Sequence, residues 1–231
     1  MKLCVIPARG GSKRIQKKNI KNFCGKPIIA WSIQLAITSK YFDKIIVSTD
    51  DDEIADLARR YGADVPFVRP KILSNDYTGT VPVISHAIKW QIKHYQKPTY
   101  VCCIYATAPF VKLSDLKYGL KILKNSSSEY AFSATNFAYP IQRSFRIKKD
   151  KKIKMFYPEH YNSRSQDLEE AFHDAGQFYW GLTDSWLKNK PIVSENAIPI
   201  MIPRYRVHDI DTLEDWQIAE RMFRITNKKK F

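Results

Sequence analysis

Long apolar runs are absent from the sequence, and this absence limits where the protein can act. No stretch reaches the roughly eighteen apolar residues of a membrane-spanning helix. The first apolar run, residues 3–6, ends at Pro7 and is too short for a signal peptide. The sequence therefore predicts a cytoplasmic protein that does not enter a membrane.

Cysteine and histidine are also scarce. The chain has 4 cysteines and 5 histidines among 231 residues, with no Cys-x-x-Cys pair and no metal-ligand spacing. No Ser-His-Asp or Cys-His arrangement is legible either. We expect free, buried thiols in a reducing compartment.

Acidic residues are outnumbered. The 38 Lys and Arg against 23 Asp and Glu give a formal net charge of +15. Such an excess fits either a nucleic acid or a small polyanionic substrate. No RRM, KH or zinc-finger signature is present, so a nucleic-acid-binding protein is the alternative from another class. Basic clusters at 148–154 and 228–230 are expected to be solvated surface.

Strand and helix patterns alternate in the first half of the chain. This order is typical of an α/β domain with a parallel sheet, which binds ligands at the carboxyl ends of its strands. The predicted strands are residues 3–6, 45–49 and 100–105, and the predicted helices are residues 28–39, 52–61 and 81–95.

The alternation of strand and helix patterns is lost in the second half of the chain. Residues from about 138 to 175 have weak periodicity and many basic and aromatic side chains, which indicates an inserted arm. A strand at 176–180 and a last helix at 212–225 follow. We expect one domain over residues 1–231, interrupted by this arm.

A basic glycine loop directly follows the first strand. Gly10 and Gly11 let the backbone approach a ligand, and consecutive N–H groups in such a turn form an anion site. The side chains that can add hydrogen bonds or charge are Arg9, Ser12, Lys13, Arg14, Lys18 and Asn19. The loop is neither a Walker A loop nor Gly-x-Gly-x-x-Gly, and an ordinary surface loop is the plain alternative.

Two carboxylates close to the C-terminus form the second candidate element. Asp209 and Asp211 are two residues apart, so on an extended segment they point to one side and can hold one Mg²⁺. The alternative is that Asp211 or Thr212 only caps the last helix. The acidic cluster at 50–53 opens a helix, and we interpret it as structural.

These residues resemble a known family. Residues 6–15, 18–20, 25–33 and 42–50 are similar to the nucleotide-binding signature of the CMP-sialic acid synthetases, although Gln16 stands where relatives usually have proline. The resemblance implies a Rossmann-like nucleotidyltransferase fold with a mainly parallel sheet and an inserted dimerisation arm. It also implies a homodimer that uses CTP, Mg²⁺ and a nonulosonic acid sugar.

The resemblance assigns roles to particular residues. Arg9, Lys18, Asp209 and Asp211 are expected to be catalytic, with the two aspartates as metal ligands and Arg69 facing the cytosine base. The expected CTP-binding set is Ala8, Arg9, Gly10, Gly11, Ser12, Lys13, Lys18, Asn19, Arg69, Thr78 and Thr80. A structural turn before the helix at 81, with Thr80 as its N-cap, is the simpler interpretation of the last residues.

The sugar pocket departs from the common family pattern. Tyr105 and Ala106 replace a glutamine and a proline, which resembles the pseudaminic acid cytidylyltransferase branch. The implied sugar-binding set is Tyr105, Ala106, Thr107, Gln142, Arg143, Arg164 and Gln177. The predicted reaction converts CTP and pseudaminic acid to CMP-pseudaminic acid and pyrophosphate. A CMP-legionaminate or CMP-N-acetylneuraminate synthetase and a nucleotide-sensing module stay open, and no general base is assigned.

Overall fold

A computed structural model describes residues 1–227 of the chain. Within these residues the strands are β1 (Lys2–Pro7), β2 (Asn22–Phe23), β3 (Lys26–Pro27), β4 (Lys44–Ser48), β5 (Tyr100–Ile104), β6 (Tyr130–Asn136), β7 (Phe145–Ile147), β8 (Ile153–Met155), β9 (Phe172–Leu182) and β10 (Ala197–Met201). The α-helices are α1 (Ile28–Ser39), α2 (Asp52–Arg60), α3 (Thr80–His94), α4 (Leu113–Lys124), α5 (Thr183–Leu187) and α6 (Leu213–Thr226). The basic residues 228–230 lie outside this description.

The main sheet has six strands in the order β10-β6-β9-β5-β1-β4. The pairs β1/β4, β1/β5 and β10/β6 are parallel, whereas β9 runs antiparallel to both β5 and β6. The predicted α/β fold with a mainly parallel sheet is therefore confirmed. Strand β9 is antiparallel because the chain returns through it from the arm.

Strand β1 shows how the sheet separates two cores. Its side chains alternate between faces, so Cys4 and Ile6 pack in one cluster while Leu3 and Val5 pack in the other. The first cluster includes residues of α1, α2 and α4, and the second includes residues of α3 and α5. Because both faces are covered, β1 is buried and apolar on both sides over residues 3–6.

Helix α6 packs away from the sheet, on the N-terminal part of the chain. The Phe23 ring lies 5.4 Å from the Trp216 ring and 5.4 Å from the Phe223 ring, centroid to centroid. This aromatic cluster fixes the start of α6, and with it residues 208–212, beside the loop that follows β1.

The arm leaves the sheet between β6 and β9. It carries the β7–β8 hairpin, whose apolar side chains Phe145, Ile147 and Ile153 are exposed. Its C-terminal limit differs from the prediction, because residues 172–175 belong to β9, where Phe172 pairs with Asn136. The excursion therefore covers residues 137–171.

The four cysteines are free and buried, as the sequence predicted. Burial raises the pKa of Cys4, Cys102 and Cys103. No helix within residues 1–227 is long and apolar enough to cross a membrane.

Candidate active site at the carboxyl ends of β1 and β5

A cavity of about 640 Å³ lies at the carboxyl ends of β1 and β5. Its walls come from four parts of the chain: the loop after β1, the segment 69–80 before α3, residues 105–107 after β5, and Asp211 before α6. Parallel strands bring these distant segments to one edge of the sheet. The alternating order of strands and helices in the sequence predicted a ligand site at this edge of the sheet.

The loop after β1 is held by residues at the end of β4. The Ala8 amide donates to the Ser48 carbonyl at 2.9 Å, and the Gly10 amide donates to Asp50 Oδ1 at 3.1 Å. A β-carbon at Gly10 would lie 2.6 Å from Asp51 Oδ2, whereas one at Gly11 would meet nothing within 4 Å. Position 10 therefore requires glycine for close packing.

Most predicted nucleotide-binding residues line the cavity, and three do not. The lining residues from the predicted set are Arg9, Ser12, Lys13, Lys18, Asn19, Arg69, Thr78 and Thr80. Ala8, Gly10 and Gly11 are not among the lining residues, and Ala8 is buried. The Asn19 side-chain amide donates to the Arg9 carbonyl at 2.9 Å, so it also holds the loop in shape.

The four loop cations that line the cavity each contact a carboxylate. Arg9 and Lys13 contact Asp76 at 2.7 Å and 2.5 Å. Arg14 and Lys18 contact Asp211 at 2.8 Å and 3.2 Å. Lys18 also donates to the Ile210 carbonyl at 2.7 Å, which joins the β1 loop to the segment before α6.

Arg69 lies at the base of the cavity and is buried. Its Nε donates to Ser74 Oγ at 3.1 Å and its Nη2 to Asp50 Oδ1 at 3.3 Å. Burial lowers the pKa of Arg69, and the nearby Asp50 carboxylate opposes this effect. Asp50 thus links Arg69 to the Gly10 amide. The sequence did not indicate this role, because Asp50 belongs to an acidic cluster that is typical of a helix start.

The threonines of segment 69–80 have structural partners. Thr78 Oγ1 donates to the Ile72 carbonyl at 3.0 Å, and Thr80 Oγ1 lies 2.5 Å from the Tyr105 hydroxyl. The N-cap of α3 is Gly79 rather than Thr80, which corrects the capping prediction. Thr80 is instead the first residue of the helix, where its hydroxyl is free to meet Tyr105.

Tyr105 connects the cavity wall to β9. Its ring centroid lies 5.2 Å from that of Tyr179, whose hydroxyl donates to Asp174 Oδ2 at 2.8 Å. Burial raises the pKa of both tyrosines, so both hydroxyls stay protonated at neutral pH. Ala106 and Thr107 continue the same wall.

The other predicted sugar contacts do not line this cavity. Gln177 is buried, and its side-chain amide donates to the Arg206 carbonyl at 2.5 Å, so that group serves the fold. Gln142, Arg143 and Arg164 lie on the arm. Gln142 donates to the Glu169 carbonyl at 3.0 Å, Arg143 to the Ser163 carbonyl, and Arg164 pairs with Asp167 at 2.7 Å. One chain alone does not bring these three residues to the cavity.

The two aspartates before α6 differ in position. Asp211 lines the cavity and is half-buried, whereas Asp209 is more exposed and is not among the lining residues. Loss of hydration, and then the like charge of Asp211, raises the pKa of Asp209. Thr212 caps α6 by accepting from the Asp215 amide at 3.2 Å, so the Asp211 side chain is not the cap.

This pair suits a hard cation that keeps ligands from elsewhere. No group of three or more His, Cys, Asp or Glu within residues 1–227 forms a metal cluster. Mg²⁺ is usually held by one or two carboxylates together with phosphate oxygens and water, so Asp211 at the cavity, with Asp209 two residues before it, fits this ion.

The comparisons with known proteins define the class. The family model described as cytidylyltransferase matches residues 3–203, and the chain belongs to this family. The predicted resemblance to nucleotidyltransferases that act with CTP is thereby confirmed at the level of the family.

Individual relatives sharpen the similarity. The chain is 44% identical to a pseudaminic acid cytidylyltransferase of Campylobacter jejuni over 99% of both sequences. It is 32% identical to a CMP-N,N'-diacetyllegionaminic acid synthase of Legionella pneumophila, over 98% of this chain and 97% of that one. A solved structure of CMP:2-keto-3-deoxy-manno-octonic acid synthetase complexed with CTP has a TM-score of 0.70 at 14% identity, over 97% and 99% of the two chains. This last likeness shows the fold alone.

Proposed function

We propose that this chain converts CTP and pseudaminic acid to CMP-pseudaminic acid and pyrophosphate. The observation that carries the proposal is the 44% identity to the Campylobacter jejuni pseudaminic acid cytidylyltransferase, which extends over 99% of both sequences. Over the full length of the chain, the lower identity of 32% to the Legionella pneumophila legionaminic acid synthase supports pseudaminic acid over that sugar. A cytoplasmic location is part of the proposal.

The proposed reaction is an in-line displacement at the α-phosphorus. The anomeric hydroxyl oxygen of the sugar forms the new bond to the α-phosphorus, the bond from the α-phosphorus to the α,β-bridging oxygen breaks, and pyrophosphate leaves. The hydroxyl proton is released to water. Arg9, Lys13, Arg14 and Lys18 neutralise the triphosphate, because both substrates are anions that repel each other. Positioning and charge cancellation then supply most of the acceleration.

Asp209 and Asp211 are the proposed metal ligands. Mg²⁺ bound there would neutralise phosphate charge and polarise the reacting oxygen. Arg14 and Lys18, which contact Asp211 in the ligand-free cavity, would then contact the phosphates instead. Both cations would lie beside the reacting group. Arg69 faces the cytosine, held in one orientation by Ser74 and Asp50.

The arm is proposed to complete the sugar site in a homodimer. Its excursion over residues 137–171 exposes Tyr139, Phe145, Ile147 and Tyr161. Four large exposed apolar side chains within one excursion support a partner surface there. In the proposed dimer, Gln142, Arg143 and Arg164 of one chain reach the sugar in the cavity of the other. The domain itself is then a single nucleotidyltransferase unit with one inserted arm.

The direct test is identification of the product. The protein is incubated with CTP, MgCl₂ and pseudaminic acid, and the CMP-sugar is identified by mass spectrometry. Matched reactions with UTP, or with EDTA in place of MgCl₂, serve as controls. Appearance of CMP-pseudaminic acid only in the complete reaction supports the proposal, and its absence at high protein concentration contradicts it.

A further inference from the structure

A carboxylate lies among the phosphate-binding cations of the cavity. Asp76 Oδ1 accepts from Arg9 Nη1 at 2.7 Å, and Asp76 Oδ2 accepts from Lys13 Nζ at 2.5 Å. Lys13 and then Arg9 lower the pKa of Asp76, so the group is ionised at neutral pH. All three side chains line the same cavity.

The loop that carries Asp76 is organised from within. Asn75 Oδ1 accepts from the Tyr77 and Thr78 amides at 2.8 Å each, and Thr78 Oγ1 donates to the Ile72 carbonyl. The Asp76 contacts, in contrast, reach across the cavity to the β1 loop. Tyr77 beside it is 97% exposed. The exposed tip of the loop, Asp76 and Tyr77, can therefore move outward without uncovering the core or releasing Ser74 from Arg69.

A triphosphate and Asp76 need the same two cations. Both are anionic, so they repel each other when they share one cavity. Surface ion pairs of this kind are weak and break readily. We infer that Asp76 is an exchangeable counter-ion, which holds Arg9 and Lys13 in the ligand-free cavity and releases them to the incoming triphosphate. The identity of that triphosphate as CTP rests on the proposed function, whereas the exchange itself does not.

The exchange has two consequences for the reaction cycle. It makes triphosphate binding weaker than the cations alone would give, because the ion pairs with Asp76 are broken first. It also favours release of pyrophosphate, because Asp76 returns to Arg9 and Lys13 as the anion leaves. Asp76 is thus a positioning residue that sets affinity at the phosphates and leaves base recognition unchanged.

The test uses Asp76→Asn, which keeps the shape of the side chain and removes its charge. Glu53→Gln is the matched control, because Glu53 pairs with Lys17 of the same loop, neither residue lines the cavity, and the change in net charge is identical. Binding of inorganic triphosphate and of CTP is measured by calorimetry in EDTA, without sugar. Asp76→Ala is a second variant, and thermal unfolding checks that each variant is folded.

We expect Asp76→Asn to bind both ligands about two- to thirtyfold more tightly than wild type, the range for loss of two competing ion pairs. Glu53→Gln is expected to stay within about twofold. Unchanged or weaker binding in both Asp76 variants would overturn the inference and mean that Asp76 only orients the cations. Tighter binding of inorganic triphosphate without any CTP binding would support the exchange and contradict the proposed function.

Discussion

Gly10 lies so close to Asp51 that a β-carbon at position 10 would come within 2.6 Å of Asp51 Oδ2. Asp51 cannot easily move, because its Oδ1 accepts from the Ile54 amide at 2.9 Å and caps α2. The first glycine of the loop is therefore fixed by packing against a helix cap, while Gly11 has open space around it.

Replacing each glycine by alanine should show which of the two positions is restricted by packing. Gly10→Ala should lower the free energy of unfolding by about 1–3 kcal/mol, through overpacking and loss of the α2 cap. Gly11→Ala, the matched control, should change it by less than about 0.5 kcal/mol. Urea denaturation measures both, and equal stability of the two variants would contradict the packing argument.

The metal ligands are tested by turnover. Asp209→Ala and Asp211→Ala should each lower kcat by about a hundredfold or more, because each removes a hard oxygen ligand without touching the core. Glu214→Gln is the control, since Glu214 is an exposed carboxylate in the first turn of α6. Pyrophosphate release at limiting Mg²⁺ is the readout. Near-normal activity of both aspartate variants would exclude this assignment.

The phosphate contacts are tested by binding. Arg9→Ala and Lys18→Ala should each weaken CTP binding by about 1.5–3 kcal/mol, the scale of a lost charge-assisted hydrogen bond. Lys17→Ala should have little effect, because Lys17 belongs to the same loop but pairs with Glu53 outside the cavity. Calorimetric titration with CTP compares the three variants. A similar loss in all three would point to net charge instead of specific contacts.

The composite sugar site is tested by mixing two impaired variants at a sugar concentration below the KM of the Arg143→Ala protein. Arg143→Ala should raise KM for the sugar far more than KM for CTP, because Arg143 is proposed to serve the cavity of the other chain. A mixture of Arg143→Ala and Asp209→Ala proteins should recover part of the activity, since each mixed dimer holds one intact site. A monomer in analytical ultracentrifugation, or no recovery despite subunit exchange, would rule the shared site out.

Local patterns predicted the regular elements well. Helix α1 covers residues 28–39 as predicted, because an apolar run is bounded by Pro27 at one end and by Lys40 in a left-handed conformation at the other. No element was predicted from the sequence where β6, α4 and β10 lie. Gly119 interrupts the pattern of α4, where a β-carbon would lie 2.9 Å from Trp180 Cδ1, and Pro199 interrupts the short edge strand β10.

The sequence predicted the cations of the candidate site, but it did not predict which carboxylates they contact. The glycine loop and Asp211 were found from the sequence because their residue types and local spacing indicate anion and metal binding. The pairing of Asp76 with Arg9 joins residues 67 positions apart, and that of Asp211 with Lys18 joins residues 193 apart. Such pairs depend on which loops meet at the sheet edge, and that is a property of the tertiary fold.

The measurement that tests the central claim most directly is the initial rate of pyrophosphate release with CTP, Mg²⁺ and each of three sugars. Pseudaminic, legionaminic and N-acetylneuraminic acids are compared at equal concentrations below saturation. We predict that kcat/KM for pseudaminic acid is at least about tenfold higher than for either other sugar. The three sugars differ in a few polar groups, and an enzyme pocket discriminates between such substrates by the contacts that it makes to those groups. A higher kcat/KM with legionaminic or N-acetylneuraminic acid, or no pyrophosphate with any of the three, would contradict the account.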